Sequence, residues 1–201
     1  MNAPSIIAPE SLLPLPQYQQ QRAEQRARAI AHRQSRSLSL GPAMWLQFED
    51  EASVRYQIQE ILLAERIVDR EDVEHTIEHY AHLLGDGRQW RATLFIGLTD
   101  AARRAREMPL LSRAVHHVYV GSGTLPRAVA EANEDLDDRH LGRPSAVHFL
   151  RFALSDALHD ALAAGEAAVI GCAHPAYAWQ RELPPPLLRS LCAERPAAAR
   201  C

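Results

Sequence analysis

The stretch SLSLGPAMWLQFED, residues 37–50, constrains the fold of this chain more than any other. Leu38 and Leu40 alternate with serines, Gly41-Pro42 is a turn dipeptide, and Met44 to Phe48 is a second apolar run. Two such runs about a Gly-Pro turn predict a β-hairpin, and a hairpin is an antiparallel pair. Helical periods flank it. Residues 17–36 are rich in Gln, Ala, Arg and Glu, with a thin stripe of Tyr18, Ala23, Ala27, Ile30 and Ala31. Asp50 is placed to cap a helix that buries Val54, Ile58, Ile61, Leu62 and Val68, and a further helix is expected from Arg70 to Leu84, ending at Gly85.

The remaining chain repeats the mixture. WRATLFIGL, AVHHVYV, SAVHFLRFAL and AAVIGCA read as strands, the last of them closing the sheet. DAARRAREM and SDALHDALAAG read as short helices capped by Asp100 and Ser155. The acidic EANEDLDD is expected to be a loop or a frayed helix. The prediction is an α+β fold: a single domain with a mostly antiparallel sheet, an N-terminal β-hairpin and flanking helices. Residues 1–16 are expected to be a flexible arm, 17–178 the domain, and 179–201, with Pro184-Pro185-Pro186 and an Ala-rich end, a flexible tail.

Composition excludes several classes. The net charge of −3 provides no basic field for nucleic acid. Three cysteines without a CxxC pair make neither a disulfide framework nor a thiolate metal site. The N-terminal stretch does not read as a signal peptide, and no apolar run reaches the ~18 residues that span a bilayer, so a cytoplasmic location is expected. Phosphate-loop, dinucleotide and nucleophile-elbow patterns do not occur.

Three places carry side chains with chemical potential. In SAVHFLRFAL, alternation puts His148 with Leu150 and Phe152, and Arg151 with Val147 and Phe149. A satisfied core histidine and a structural ion pair are the ordinary reading; a rigid site wall is the sharper one. In VRYQIQEILLAER, Gln57 and Glu60 border the apolar stripe and Glu65 points along it, which calls for a cation such as Arg151. In GCAHPAYAW, His174 leaves a strand at a proline and is placed for ligation or proton transfer. If Glu60, His148 and His174 converge, two histidines and a carboxylate could hold a divalent metal or flank a small anion. The metal-like spacing of His75, Glu78, His79 and His82 falls opposite the stripe of Val73, Ile77, Tyr80 and Leu84, hence on the solvent side.

FEDEASVRYQIQEILLAERI, DGRQWRATLFI, SAVHFLRF and HPAY, taken together, resemble a family of uncharacterised bacterial proteins that carries only a domain-of-unknown-function label. The resemblance runs from Leu12 to Tyr177. It implies functional positions at Gln57, Glu60, Glu65, Arg66, His148, Arg151 and His174. Family members are often encoded beside a rubrerythrin and an iron–sulfur protein of the glycolate-oxidase or heterodisulfide-reductase type, which implies such partners and a redox or peroxide-related setting. The chain departs from the family pattern in IEHYAHLLGDG, where an Asn-Pro after the Tyr and a Pro before the Asp are expected; this sets His79 and His82 apart. The expected function is an accessory or ligand-binding protein of that redox system. The alternative is a small enzyme with a His/Glu pocket.

Overall fold

The hairpin forms as its sequence requires. In the computed structural model, which describes residues 7–85, 87–132 and 144–194, β1 (Ser37–Leu40) and β2 (Met44–Phe48) pair antiparallel. The turn between them needs Gly41, whose φ of +72° lies in the left-handed region. It is also clamped from outside: the Tyr177 hydroxyl accepts from the Ala43 and Met44 amides at 3.0 and 3.1 Å and donates to the Leu40 carbonyl at 2.7 Å.

The other strands are β3 (Gln89–Ile96), β4 (Val118–Gly121), β5 (Ala128–Val129), β6 (Glu131–Ala132), β7 (Val147–Ala153), β8 (Val169–His174) and β9 (Tyr177–Glu182). They form two sheets, ordered β1-β2-β3-β7-β6 and β5-β4-β8-β9, with every pairing antiparallel. The helices are α1 (Leu15–Ser35), α2 (Glu51–Glu65), α3 (Arg70–Ala81), α4 (Ala101–Ala114), α5 (Asp156–Ala163) and α6 (Pro185–Cys192). The fold is a single α+β domain, as expected. Among the described residues no helix is long and apolar enough to cross a membrane.

Alternation sends the two faces of the five-stranded sheet into two cores. Leu46, Phe48, Trp90, Leu94, Leu150 and Phe152 face the second sheet and α4–α6, and join the larger core. The opposite face carries Phe149, which packs against Val54, Ile58 and Leu62 of α2 and Ile77 of α3. The expected caps hold: Asp50 and Ser53 form a reciprocal capping box on α2, and Asp100 and Ser155 accept from the first turns of α4 and α5.

Several boundaries differ from expectation. Residues 179–194 are not a tail. β9 continues through 179–182, and Leu183, Leu187, Leu188 and Leu191 are buried in the main core. The proline run starts a helix, since proline fits its first turn, and the leucines behind it form its apolar stripe. Arg36, 2% exposed, binds this helix down. It donates to the Phe48 and Glu49 carbonyls, to the Ser190 hydroxyl at 2.8 Å and to Glu194 at 2.5 Å. Burial pushes the Glu194 carboxyl up to about 7, against the opposing pull of Arg36. The N-terminal arm is likewise packed in part: Ile7 is buried, and Leu12 and Leu15 join the α2–α3 core. AVHHVYV is strand only from Val118, because a 3-10 turn over Val115–His117 continues α4. α4 itself passes the expected stop at Met108 and runs through Pro109, with Leu111 and Ala114 docked in the core. AAVIGCA is the penultimate strand. Cys172 and Cys192 are free thiols. Residues 1–6, most of EANEDLDD and residues 195–201 lie outside the described residues.

Candidate functional site

The sequence-predicted residues do not assemble into one pocket. His148 lies on the inner face of the sheet, 2% exposed. Its Nε2 is 3.0 Å from the Ser145 carbonyl oxygen, so that nitrogen donates, and Ser112 Oγ is 3.5 Å away. Burial lowers its pKa. Glu60 is on α2, which covers the opposite face of the same sheet. It accepts from the Tyr18 hydroxyl at 2.8 Å and from Arg22 at 3.0 and 2.8 Å. His174 begins the β8–β9 turn, accepts the Ala176 amide on Nδ1 at 3.2 Å and stands edge-on to His117. The expected convergence of Glu60, His148 and His174 is therefore corrected: a sheet separates the carboxylate from the buried imidazole. Among the described residues no three His, Cys, Asp or Glu side chains are grouped to hold a metal.

Glu65 is also corrected. It is exposed at the end of α2, because the helix stops at Arg66, whose φ of 57° turns the chain out of the stripe. Arg66 is thus the C-cap of α2 and is exposed. Arg151 faces the outer side and pairs with Glu131, with Gln89 Oε1 at 3.4 Å. Gln57 is half-buried on α2. His75, Glu78 and His79 are exposed as expected, whereas His82 is half-buried with its ring against Phe149.

A different site is present between α1 and α2. The face that α1 turns to α2 is not its apolar stripe: Ile30 is 48% exposed, and Ala23, Ala27 and Ala31 are exposed too. Its covered positions are Leu15, Tyr18, Gln21, Gln25, Ala29, His32 and Arg33, mostly polar beyond the first turn. Polar links therefore join the helices in addition to their direct packing. Tyr18 and Arg22 bind Glu60 at one end, and His32 Nε2 meets the Asp50 carboxylate at 3.0 and 2.8 Å at the other. The Gln59 side chain bonds both the amide and the carbonyl of Leu13, which fixes the arm across the α2 side.

Between these links lies an open cleft of about 540 Å³. α1 lines it with Tyr18, Gln21, Gln25, Arg28, Ala29 and His32. α2 adds Ala52, Ser53, Arg55, Tyr56 and Gln59. Ala29 and Ala52, one on each helix, leave space that larger side chains would fill. Arg22 holds Glu60 below the usual carboxylate range, while burial and then the Glu60 hydrogen bond push the Tyr18 phenol far upward. The Tyr18–Glu60 contact thus stays a charge-assisted hydrogen bond at neutral pH. The chemistry available in the cleft is donation of hydrogen bonds and positive charge.

The family described as "Protein of unknown function (DUF3501)" matches residues 6–194. The chain belongs to this family. It is similar to the protein in a crystal structure described as a novel protein of unknown function from Burkholderia pseudomallei K96243. The two share 35% identity and a TM-score of 0.87, over 94% of this chain and 99% of that one. No curated protein matches the sequence. In this family member, the stretches that carry the resemblance have structural duties: Gln59 and Glu60 of YQIQE tie down the arm and α1, and Tyr177 of HPAY clamps the hairpin turn.

Sequence reasoning missed Tyr18 as a tether, Arg36, Gln59 and the buried Glu49. The Glu49 carboxylate is 1% exposed and accepts from Thr93 and Ser53, each at 2.6 Å, and from Gln47 at 3.2 Å. One available signal was the spacing of Tyr18, Gln21, Gln25, Ala29 and His32, which follows a helical face with polar residues where apolar ones are expected.

Proposed function

We propose that this protein is a ligand-binding accessory module and that the α1–α2 cleft is its site. The observation that carries the reading is the cleft itself: about 540 Å³, bounded by polar ties at both ends and lined from two helices. That volume lies within the roughly 300–1,000 Å³ of small-molecule sites. The ligand is a small organic molecule with polar groups to meet the amides and guanidinium groups of the wall. The resemblance to a family encoded beside rubrerythrin and iron–sulfur proteins supports placing the module in a redox or peroxide-related system, with one of those proteins as partner. Sedimentation of the protein mixed with a rubrerythrin tests that part.

The cleft is tested by thermal shift of the full chain against a library of small organic acids and phosphates. A ligand at about 100 times its Kd adds about 2.7 kcal/mol, which raises the melting temperature by roughly 5–10 °C for a chain of this size. Ala52→Trp and Ala29→Trp, which fill the cleft from opposite walls, should abolish the shift. No shift with any compound, or equal shifts in wild type and in folded filled variants, overturns the assignment.

A further inference from the structure

We infer that the ligand of the α1–α2 cleft is a planar aromatic anion, a ring system bearing a carboxylate or phosphate; this rests on the cleft being the binding site. Charge is the first observation. In a chain of net charge −3, the described residues of the cleft wall include Arg28 and Arg55 and no carboxylate, Asp50 standing at one end against His32. The two arginines come from opposite walls. Each is held by an acid one turn earlier on its own helix, Arg28 by Glu24 at 2.5 Å and Arg55 by Glu51 at 2.8 Å. Pairs of this spacing contribute only about 0.3–0.5 kcal/mol, so the Arg28 guanidinium can turn to a ligand anion at small cost. Arg55 already reaches across to the Ser11 carbonyl and hydroxyl at one end of the cleft.

The ring is the second observation. Tyr56 lines the cleft, and the Arg33 guanidinium lies over its ring, 5.3 Å from the centroid. Arg33 is not part of the cleft wall, and its guanidinium occupies only one face of the Tyr56 ring. Gln21 and Gln25 bond each other only at 3.4 Å and can exchange that contact for heteroatoms at a ring edge. An inorganic anion would use the arginines and leave the aromatic wall bare. An uncharged ring would do the reverse.

Calorimetry on the full chain decides this with four probes. AMP and flavin mononucleotide are aromatic anions, adenosine is the ring without the charge, and ribose 5-phosphate is the charge without the ring. At least one aromatic anion is expected to bind ten times or more tighter than both adenosine and ribose 5-phosphate. Tyr56→Leu should reduce it to the ribose 5-phosphate level, and Tyr56→Phe should retain it. Arg28→Gln with Arg55→Gln should weaken it and flatten its salt dependence. If ribose 5-phosphate binds as tightly as the aromatic anions and is lost in Ala52→Trp, the cleft stands and the aromatic class is overturned. If neither aromatic anion binds, this inference fails. The cleft reading fails with it only if the wider library is silent as well.

Discussion

On the inner face of the five-stranded sheet, Phe48, Trp90, Leu94 and Phe152 pack into an inter-sheet core joined by α4, α5 and α6. On the outer face, Gln47, Glu49, Thr93 and Arg151 lie among or beside the apolar groups, and the helix above them is tied to α1 by Tyr18, Glu60, His32 and Asp50. The strands are the same; what differs is the partner. Apolar surfaces close on contact because nothing holds them apart. α1 and α2 pack directly and are also tied by hydrogen-bonded side chains, and small residues between the ties leave a cleft. Stability is therefore expected to rest mainly on the inner side, and the binding we propose falls to the outer.

The strongest way to break this contrast is to delete an inner ring. Phe152 is fully buried with its ring 6.4 Å from that of Phe48. Phe152→Ala should cost about 3–5 kcal/mol in urea melts, because a cavity remains where the ring stood. A cost below about 1 kcal/mol would mean that the inner core repacks freely and does not dominate.

The outer tie should cost less. Glu60→Ala removes the acceptor of Tyr18 and Arg22, and we expect a loss of about 1–2 kcal/mol by the same melts. A double-mutant cycle with Arg22→Ala should show coupling, while combination with Phe152→Ala should be additive. A loss equal to that of Phe152→Ala would erase the distinction between the faces.

The inner face was the legible one. Its strands alternate, and their apolar residues declare the buried side, so Leu38, Leu46 and Leu150 could be placed from period alone. The outer face was not. Glu60 was recognised as bordering the apolar stripe, but its partners Tyr18 and Arg22 are 42 and 38 residues away and no local pattern pairs them. The stripe expected on α1 holds only at Tyr18, because Ala23, Ala27, Ile30 and Ala31 are exposed and the contact face beyond the first turn is mostly polar. The C-terminal helix was missed because three prolines signal disorder and helix start equally, and only the leucines after them decide. His148 is buried as its apolar neighbours imply, but on the face opposite α2 and not on the side that helix covers; the Ser145 carbonyl it donates to lies three residues back along the strand's own approach.

His148 also gives the inner face a pH dependence. Burial holds its folded pKa below the ordinary 6.5, so the unfolded chain takes up the proton first as the pH falls. The contribution is complete above about 6.5 and is lost as the pH drops through the lower folded value, by at most about 1.4 kcal/mol per pH unit. Glu194 works in the other direction: its carboxyl is raised from 4.5 to about 7, so its contribution is present in acid and lost as the pH rises through about 7. Comparing wild type with His148→Gln at each pH isolates the histidine. The stability difference between them should narrow from pH 7.5 to 5.5; a constant difference would show that His148 titrates alike in both states.

The smallest effect is expected at Glu65, and it sharpens the boundary of the outer face. By helical period the residue continues the stripe of Ile58 and Leu62 and should be enclosed. Arg66 ends the helix with a left-handed residue at that point, and the Ile67 amide closes back on the Leu62 carbonyl at 2.9 Å. The stripe therefore stops one turn earlier than its period suggests, and Glu65 stands in solvent, where its charge reaches Tyr80 and raises that phenol behind the larger effect of burial. Glu65→Ala should change stability by no more than about 0.5 kcal/mol, as exposed substitutions that remove neither a cap bond nor a core contact do. The same melts that resolve Phe152→Ala will read it. A loss near 3 kcal/mol would put a buried partner charge beneath Glu65 and extend the polar outer layer beyond α2.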